Sequence, residues 1–344
     1  MVDPYPMAFV SAPGKIEFQE KKLAPLPPEA VLIRVKACSI CGSDLHIFAG
    51  RHPSAPLPMA IGHELSGEVL EIGDGVSGVR AGDRVVVEPV ITCGKCPFCI
   101  KGDYHLCSQI SFQYRRGQGG FAPYFVAEEK WVHPLPAGVS FEEGALIEPL
   151  SVALHAVQKG NLLPGHTVAI FGAGAVGLLL LLLARLSGVA DVFVSDIRDS
   201  RLKKAKALGA SVGIHGRKED AVQKILDMTS QLGVDRAFEA VGLESTLVQS
   251  LQVLKKGGSA VVVGLFEDPQ VRIPANLFIQ REISLLGSQG YCRDFQTALR
   301  LVEKGLINLK EVMTHVLPIS SLQEGFDLLR NPDGEAVKVV IKMD

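Results

Sequence analysis

The sequence has almost no excess of charge of either sign. Its 35 lysines and arginines stand against 37 aspartates and glutamates, a formal net charge of −2. No basic surplus is available to neutralise a nucleic-acid backbone or an anionic membrane surface, so neither partner is expected. The opening residues, "MVDPYPMAFV", have no basic stretch followed by an apolar core, and no secretory signal is expected. Long hydrophobic runs are missing too. The most apolar stretch, Gly177–Leu186, falls well short of the ~20 residues of a membrane span and reads as a buried helix. There is no internal repeat and no low-complexity tract. The seven cysteines are an odd number, and without a secretory signal they do not suggest a disulfide framework. Thiolate metal binding in the cytoplasm is the expectation. Small molecules and further copies of the chain remain as partners.

The 344 residues suit two domains. The first part, to about residue 155, is rich in glycine and proline. Glu29–Cys38, Ser66–Gly73 and Gly82–Pro89 read as strands from their β-branched residues and Gly/Pro boundaries, giving an irregular β domain. From about residue 165 the texture changes. Strands are expected at His166–Phe171, Asp191–Asp196, Val234–Gly242 and Gly258–Leu265. Helices are expected over the leucine run, Ser200–Ala210 and Glu244–Lys256. This alternation is the pattern of a doubly wound parallel sheet, hence an α/β class. A helix near Asp294–Lys304 and a strand near Lys338–Lys342 close the chain.

"GAGAVG", comprising Gly172, Ala173, Gly174, Ala175, Val176 and Gly177, follows one of these strands and opens a helix. Gly172 allows the tight turn, Gly174 lets a pyrophosphate approach the backbone, and Gly177 lets helix and strand pack closely. The helix N-terminus offers free N–H groups and a favourable dipole to the phosphates. Asp196 ends the next strand, 24 residues after the first glycine. It can accept hydrogen bonds from the ribose hydroxyls and would repel a 2′-phosphate, which favours NAD over NADP. Arg198 and Arg201 follow it; an arginine there either lies against the adenine or neutralises a 2′-phosphate.

Four cysteines, Cys93, Cys96, Cys99 and Cys107, fall within fifteen residues as C-x2-C-x2-C-x7-C. Four thiols so close in sequence call for a metal partner, with a redox role for Cys93 and Cys96 as the alternative; the C-x-x-C lacks the βαβ setting of a thioredoxin-like site. Three other fragments carry metal-ligating types: "CGSDLH" with Cys41, Ser43, Asp44 and His46, "GHE" with His63 and Glu64, and "IEPL" with Glu148. A thiolate, an imidazole and carboxylates suit a catalytic zinc that keeps a position for substrate. Cys38 and Cys292 are needed by neither set. His52, His105, His133, His155, His166, His215 and His315 read as surface or packed residues.

Taken together, "CGSDLH", "GHELSGEV", "GDRVVVEP", the four cysteines, "FEEGALIEPLSV" and "GAGAVG" resemble the zinc-dependent medium-chain dehydrogenase/reductase family, on its polyol (sorbitol) dehydrogenase branch. The resemblance covers essentially the whole chain. It implies a GroES-like catalytic domain over 1–155, completed by 291–344, and a Rossmann NAD-binding domain over 156–290. It implies two zinc ions per chain, with Cys41, His63 and Glu64 at the catalytic one. Glu148 would be a fourth ligand or the partner of its water, and Cys93, Cys96, Cys99 and Cys107 would hold the structural zinc. Ser43 and His46 would carry the substrate proton away through the cofactor ribose. Val263, Gly264 and Leu265, with Gly287, Ser288 and Gln289, would flank the nicotinamide, and Arg201 would join the cofactor site. A homotetramer is implied as well.

One departure bears on the substrate. The branch often reads F-R-Y where this chain has "SQGYC", Ser288–Cys292, so the sugar-holding arginine is replaced by Gly290 while Tyr291 is kept. Polyols, diols such as 2,3-butanediol, L-threonine and plain secondary alcohols all stay open as substrates. A zinc-stabilised binding module without catalysis is the alternative of a different class. Its ribbon would need two C-x2-C pairs spaced more widely than here.

Overall fold

The computed structural model describes residues 4–343. Two compact units are present. One lies within Met1–Glu148, Phe295–Asn331 and Lys338–Asp344, and the other within Pro149–Asp294 and Pro332–Val337.

The first unit is built on a seven-stranded sheet. Its strands are β1 (Ala30–Ser39), β2 (Glu64–Ile72), β3 (Arg84–Val87), β4 (Tyr124–Glu128), β5 (Val132–Pro134), β12 (His315–Pro318) and β13 (Val339–Lys342). The order is β5-β3-β2-β1-β13-β12, with β4 pairing on β1. Strand β1 is central. Its first half pairs with β4, its last residues pair with β13, and β2 runs along its other edge. Central placement explains why "AVLIRVKACS" is an almost unbroken apolar run rather than an alternating one. Only Arg34 on it is exposed. The expected strands are all present, displaced by one or two residues at their ends.

The second unit holds six strands, all parallel: β6 (Thr167–Phe171), β7 (Asp191–Asp196), β8 (Val212–His215), β9 (Val234–Glu239), β10 (Leu254–Val262) and β11 (Ser284–Gly287). Their order is β8-β7-β6-β9-β10-β11, so the sheet reverses direction of winding between β6 and β9. Ligands of such sheets bind outside the carboxyl ends of the strands at that reversal. The strands expected through Gly242 and Leu265 end three residues early, at Glu239 and Val262, as the helix expected through Ala210 ends at Ala207, and one junction differs more. The helix expected through Lys256 ends at Gln252, and β10 begins at Leu254 instead of Gly258. Val253 and Leu254 are buried in the sheet core, and that burial outweighs the helical pattern. A register shift between Val234 and Arg236 then absorbs the glycines.

Candidate metal centres and nucleotide loop

The antiparallel register of β1 and β2 pairs Ser39 with Glu64. Cys41 lies two residues beyond one partner and His63 one residue before the other. A single hydrogen-bonded register therefore brings Cys41, His63 and Glu64 together, with their ligand atoms all within 4.8 Å of one another. Cys41 is also the N-cap of α1 (Gly42–Phe48), which carries Ser43, Asp44 and His46. Ser43 and His46 are half-buried. A thiol, an imidazole and one carboxylate in that space fit the three-ligand set of a catalytic zinc.

Asp44 stands outside that set. Its carboxylate is 1 % exposed, and Oδ2 accepts the Cys41 N–H at 3.0 Å while Oδ1 accepts the Gly62 N–H at 3.2 Å. Oδ1 also lies 3.6 Å from Nδ1 of His63. Burial pushes the Asp44 carboxyl up, but the His63 charge and the two N–H donors outweigh it and hold it below the usual range. Burial likewise presses His63 down, and the Asp44 carboxylate and Cys41 thiol more than reverse this. Glu148 is buried in the first turn of α2 (Ile147–Gly160) and does not join the group within mutual reach.

Two residues of this centre were not singled out from the sequence. Ser39 Oγ and Lys338 Nζ both donate to Oε2 of Glu64. The signal for Lys338 was an ammonium set inside the apolar run "AVKVVI", otherwise fit for a buried strand. Burial opposes its charge, yet Glu64, Cys41 and Glu148 around it raise its pKa.

The second cluster is Cys93, Cys96, Cys99 and Cys107, again with all four sulfurs within 4.8 Å. Cys96 and Cys99 are 3.5 Å apart, as are Cys93 and Cys107. Tetrahedral Zn–S bonds of about 2.3 Å would place sulfurs about 3.8 Å apart, so the cage fits zinc. Gly94 turns the chain at φ +69°, and Pro97 starts a one-turn helix that ends on Gly102 at φ +85°. Backbone N–H groups point at the sulfurs: Cys93 N and Gln109 N each lie 3.3 Å from Sγ of Cys107. Backbone donors from Cys99 and Ser108 bring the Cys96 thiol down to about 5, while burial and the neighbouring Cys96 push the Cys99 thiol up to about 12, so the four thiols do not all ionise alike without a metal. A further residue without a sequence signal, Glu88, anchors this segment. It is 2 % exposed and accepts from Tyr104 Oη at 2.5 Å, with His133 Nε2 at 3.1 Å.

In the second unit, Gly172 sits at φ +104°, and a Cβ there would meet Val241 Cγ2 at 2.8 Å. A Cβ on Gly177 would fall 1.8 Å from the Gly172 carbonyl oxygen. Both positions demand glycine. Gly174 differs: its nearest neighbour to such a Cβ is Arg201 Nη1, at 3.8 Å, so space lies open before the backbone. Gly174 caps α3 (Ala175–Leu186) with no side-chain hydrogen bond, which leaves the first N–H groups of the helix to a ligand. Asp196 binds this loop directly, Oδ2 accepting from Ala173 N at 2.7 Å and Oδ1 from Arg198 N at 2.9 Å. Arg201 Nη1 is 3.9 Å from Asp196. Val262 and Gly287 are register partners at the carboxyl ends of β10 and β11, and Ser288 N donates to Val262 O. Val263, Gly264 and Leu265 therefore emerge beside Gly287, Ser288 and Gln289. The loop fits a dinucleotide.

The Alcohol dehydrogenase GroES-like domain family matches residues 27–137, and the Zinc-binding dehydrogenase family matches residues 175–304. The sorbitol dehydrogenase of Halalkalibacterium halodurans is 35 % identical over 95 % of this chain and 96 % of its own length. The D-arabitol-phosphate dehydrogenase of Enterococcus avium is 35 % identical over 96 % of this chain and 95 % of its own. Among solved structures, the 2R,3R-butanediol dehydrogenase of Bacillus subtilis superposes with a TM-score of 0.88 at 32 % identity, covering 99 % of this chain and all of that one.

Proposed function

The chain belongs to the zinc-dependent medium-chain alcohol dehydrogenase family, and from that premise we propose that it reversibly oxidises a secondary alcohol of a polyol or diol to the ketone with NAD as hydride acceptor. The observation that carries this reading is the convergence of Cys41, His63 and Glu64 on a three-ligand site in a chain that also holds an open glycine loop. A zinc ion there supplies a Lewis acid that polarises the substrate alcohol. Asp44 orients His63 and fixes the backbone on both sides of the centre. Ser43, two residues past Cys41, takes the substrate proton, and His46, on the last turn of the same helix, passes it on. Glu148, buried in the first turn of α2, would serve the same centre as a fourth ligand or as a hydrogen-bond partner there. Residues 1–155 with 291–344 form the catalytic domain in this reading, and 156–290 the cofactor domain. There, Gly172 to Gly177 cradle the pyrophosphate, and Asp196 and Arg201 meet the adenosine half. The strand ends at Val263–Leu265 and Gly287–Gln289 flank the nicotinamide.

The four-cysteine cage holds a second, structural zinc. NAD is favoured over NADP because Asp196 places a carboxylate where a 2′-phosphate would lie. The same reading makes the protein a cytoplasmic homotetramer. Edge strand β11 and Ile279, 83 % exposed on α4 (Asn276–Arg281), support an association surface on the cofactor unit.

Substrate class is tested by a panel of polyols, polyol phosphates, 2,3-butanediol, L-threonine and simple secondary alcohols with NAD. NAD reduction strongest with a vicinal diol or polyol supports the proposal. Selective turnover of L-threonine would move the chain to that reading. No NAD reduction with any alcohol by zinc-replete protein would leave the binding module.

A further inference from the structure

Glu64 has two carboxylate oxygens, and the fold occupies one of them. Ser39 Oγ and Lys338 Nζ both bind Oε2, and neither bond reaches Oε1. The two donors arrive from different strands. Ser39 ends β1, opposite Glu64 on one side and Val340 on the other, which sets Lys338 immediately before β13. Lys338 is itself held firmly. Nζ also donates to the Ile40 carbonyl at 2.9 Å, one residue before the ligand Cys41. Its backbone carbonyl accepts from Thr314 N and Thr314 Oγ1, both at 2.9 Å.

An ammonium 2 % exposed is costly to bury, and a residue needed only for packing would be apolar. Lys338 Nζ is bound to Glu64 and to the Ile40 carbonyl beside Cys41. We propose that Lys338 is a positioning residue of the Cys41–His63–Glu64 centre. With Ser39 it holds Oε2, so that Glu64 meets a metal ion through Oε1 alone and a coordination position stays open for substrate. A carboxylate released from Oε2 could turn both oxygens to the metal and close that position. The inference rests on the catalytic-metal reading of this centre.

Cobalt(II) exchanged for the zinc of this centre is the probe, because four-coordinate cobalt absorbs visible light more strongly than five-coordinate cobalt. Lys338→Met is expected to lose visible-band intensity, with kcat/KM falling on the order of 10–100-fold. Lys338→Arg should restore the spectrum. Ser39→Ala reaches the same oxygen from the other strand, so it should move the spectrum the same way and still answers if Lys338→Met fails to fold. Zinc in the four-cysteine cage serves as internal control and should leave to a chelator at the wild-type rate in every variant. Folded Lys338→Met and Ser39→Ala proteins with wild-type cobalt spectra would overturn the inference, as would equal acceleration of zinc loss from both sites. A wild type that takes up no cobalt outside the cysteine cage would overturn the catalytic-metal reading and this inference with it. Normal uptake with unchanged variant spectra would remove this inference alone.

Discussion

Oδ1 of Asp44 lies 3.6 Å from Nδ1 of His63, and the other oxygen of that carboxylate binds the backbone N–H of Cys41. One buried side chain thus lies beside the ring of one metal ligand and holds the backbone of another. Asp44→Asn keeps the shape and removes the charge. Its catalytic zinc should be bound on the order of 10–100-fold more weakly, as for other partners of metal-ligating histidines. Competition with a chromogenic chelator measures this, and zinc retained as in the wild type would contradict it.

How much of this was legible in the sequence follows from what each residue's pattern reports. The cysteine cage and the glycine loop are local in sequence. Spacing alone gathers the four thiols, and Gly172 and Gly177 stand where any Cβ would collide. Cys41, His63 and Glu64 needed the family resemblance, because it is the Ser39–Glu64 register that unites them, and register is not written in either strand alone. Asp44 carried a ligand's chemistry in a ligand's motif, and only its hydrogen bonds reveal it as the clamp. The tie from Lys338 to Glu64 was not legible, although its charge within an apolar run was. Lys338 comes from the far end of the chain, and its role depends on three strands meeting. The end of the helix at Gln252 was misjudged because Val253 and Leu254 are claimed by the sheet core.

Asp196 should show a double role. Asp196→Ala removes the acceptor for the ribose and frees Arg201 to meet a 2′-phosphate, so KM for NAD should rise and NADP use should increase. The substitution also leaves the Ala173 and Arg198 N–H groups without their acceptor, at about 1–3 kcal/mol for a buried one. Paired kcat/KM values for NAD and NADP, with a thermal melt, test this. A wild type that prefers NADP would contradict the assignment.

Asp235 ties β9 to β6 through Thr167, whose N–H and hydroxyl both bind Oδ2, and it pairs with Lys255. Burial pushes its carboxyl up, but Lys255 and Thr167 bring it down to about 2. A carboxyl with a folded pKa below its unfolded value of about 3.9 stabilises the fold above that value and loses the effect as pH falls toward the folded one. Asp235→Asn should therefore melt below the wild type by a constant gap at neutral and mildly acid pH. The gap should shrink below about pH 4. A gap that persists unchanged at about pH 3 would contradict this.

The central claim is that the chain has two zinc sites with different work, one chemical and one structural. Zinc content, thermal melting and NAD-linked turnover, measured together on wild type, Cys41→Ser and Cys96→Ser, test it most directly. The account predicts two zinc ions in the wild type. Cys41→Ser should lose the catalytic ion and turnover while melting close to the wild type. Cys96→Ser should lose the cage ion and melt lower, since structural zinc contributes folding energy directly. A Cys41→Ser protein that turns over normally, or a Cys96→Ser protein that melts like the wild type yet is catalytically dead, would contradict the account.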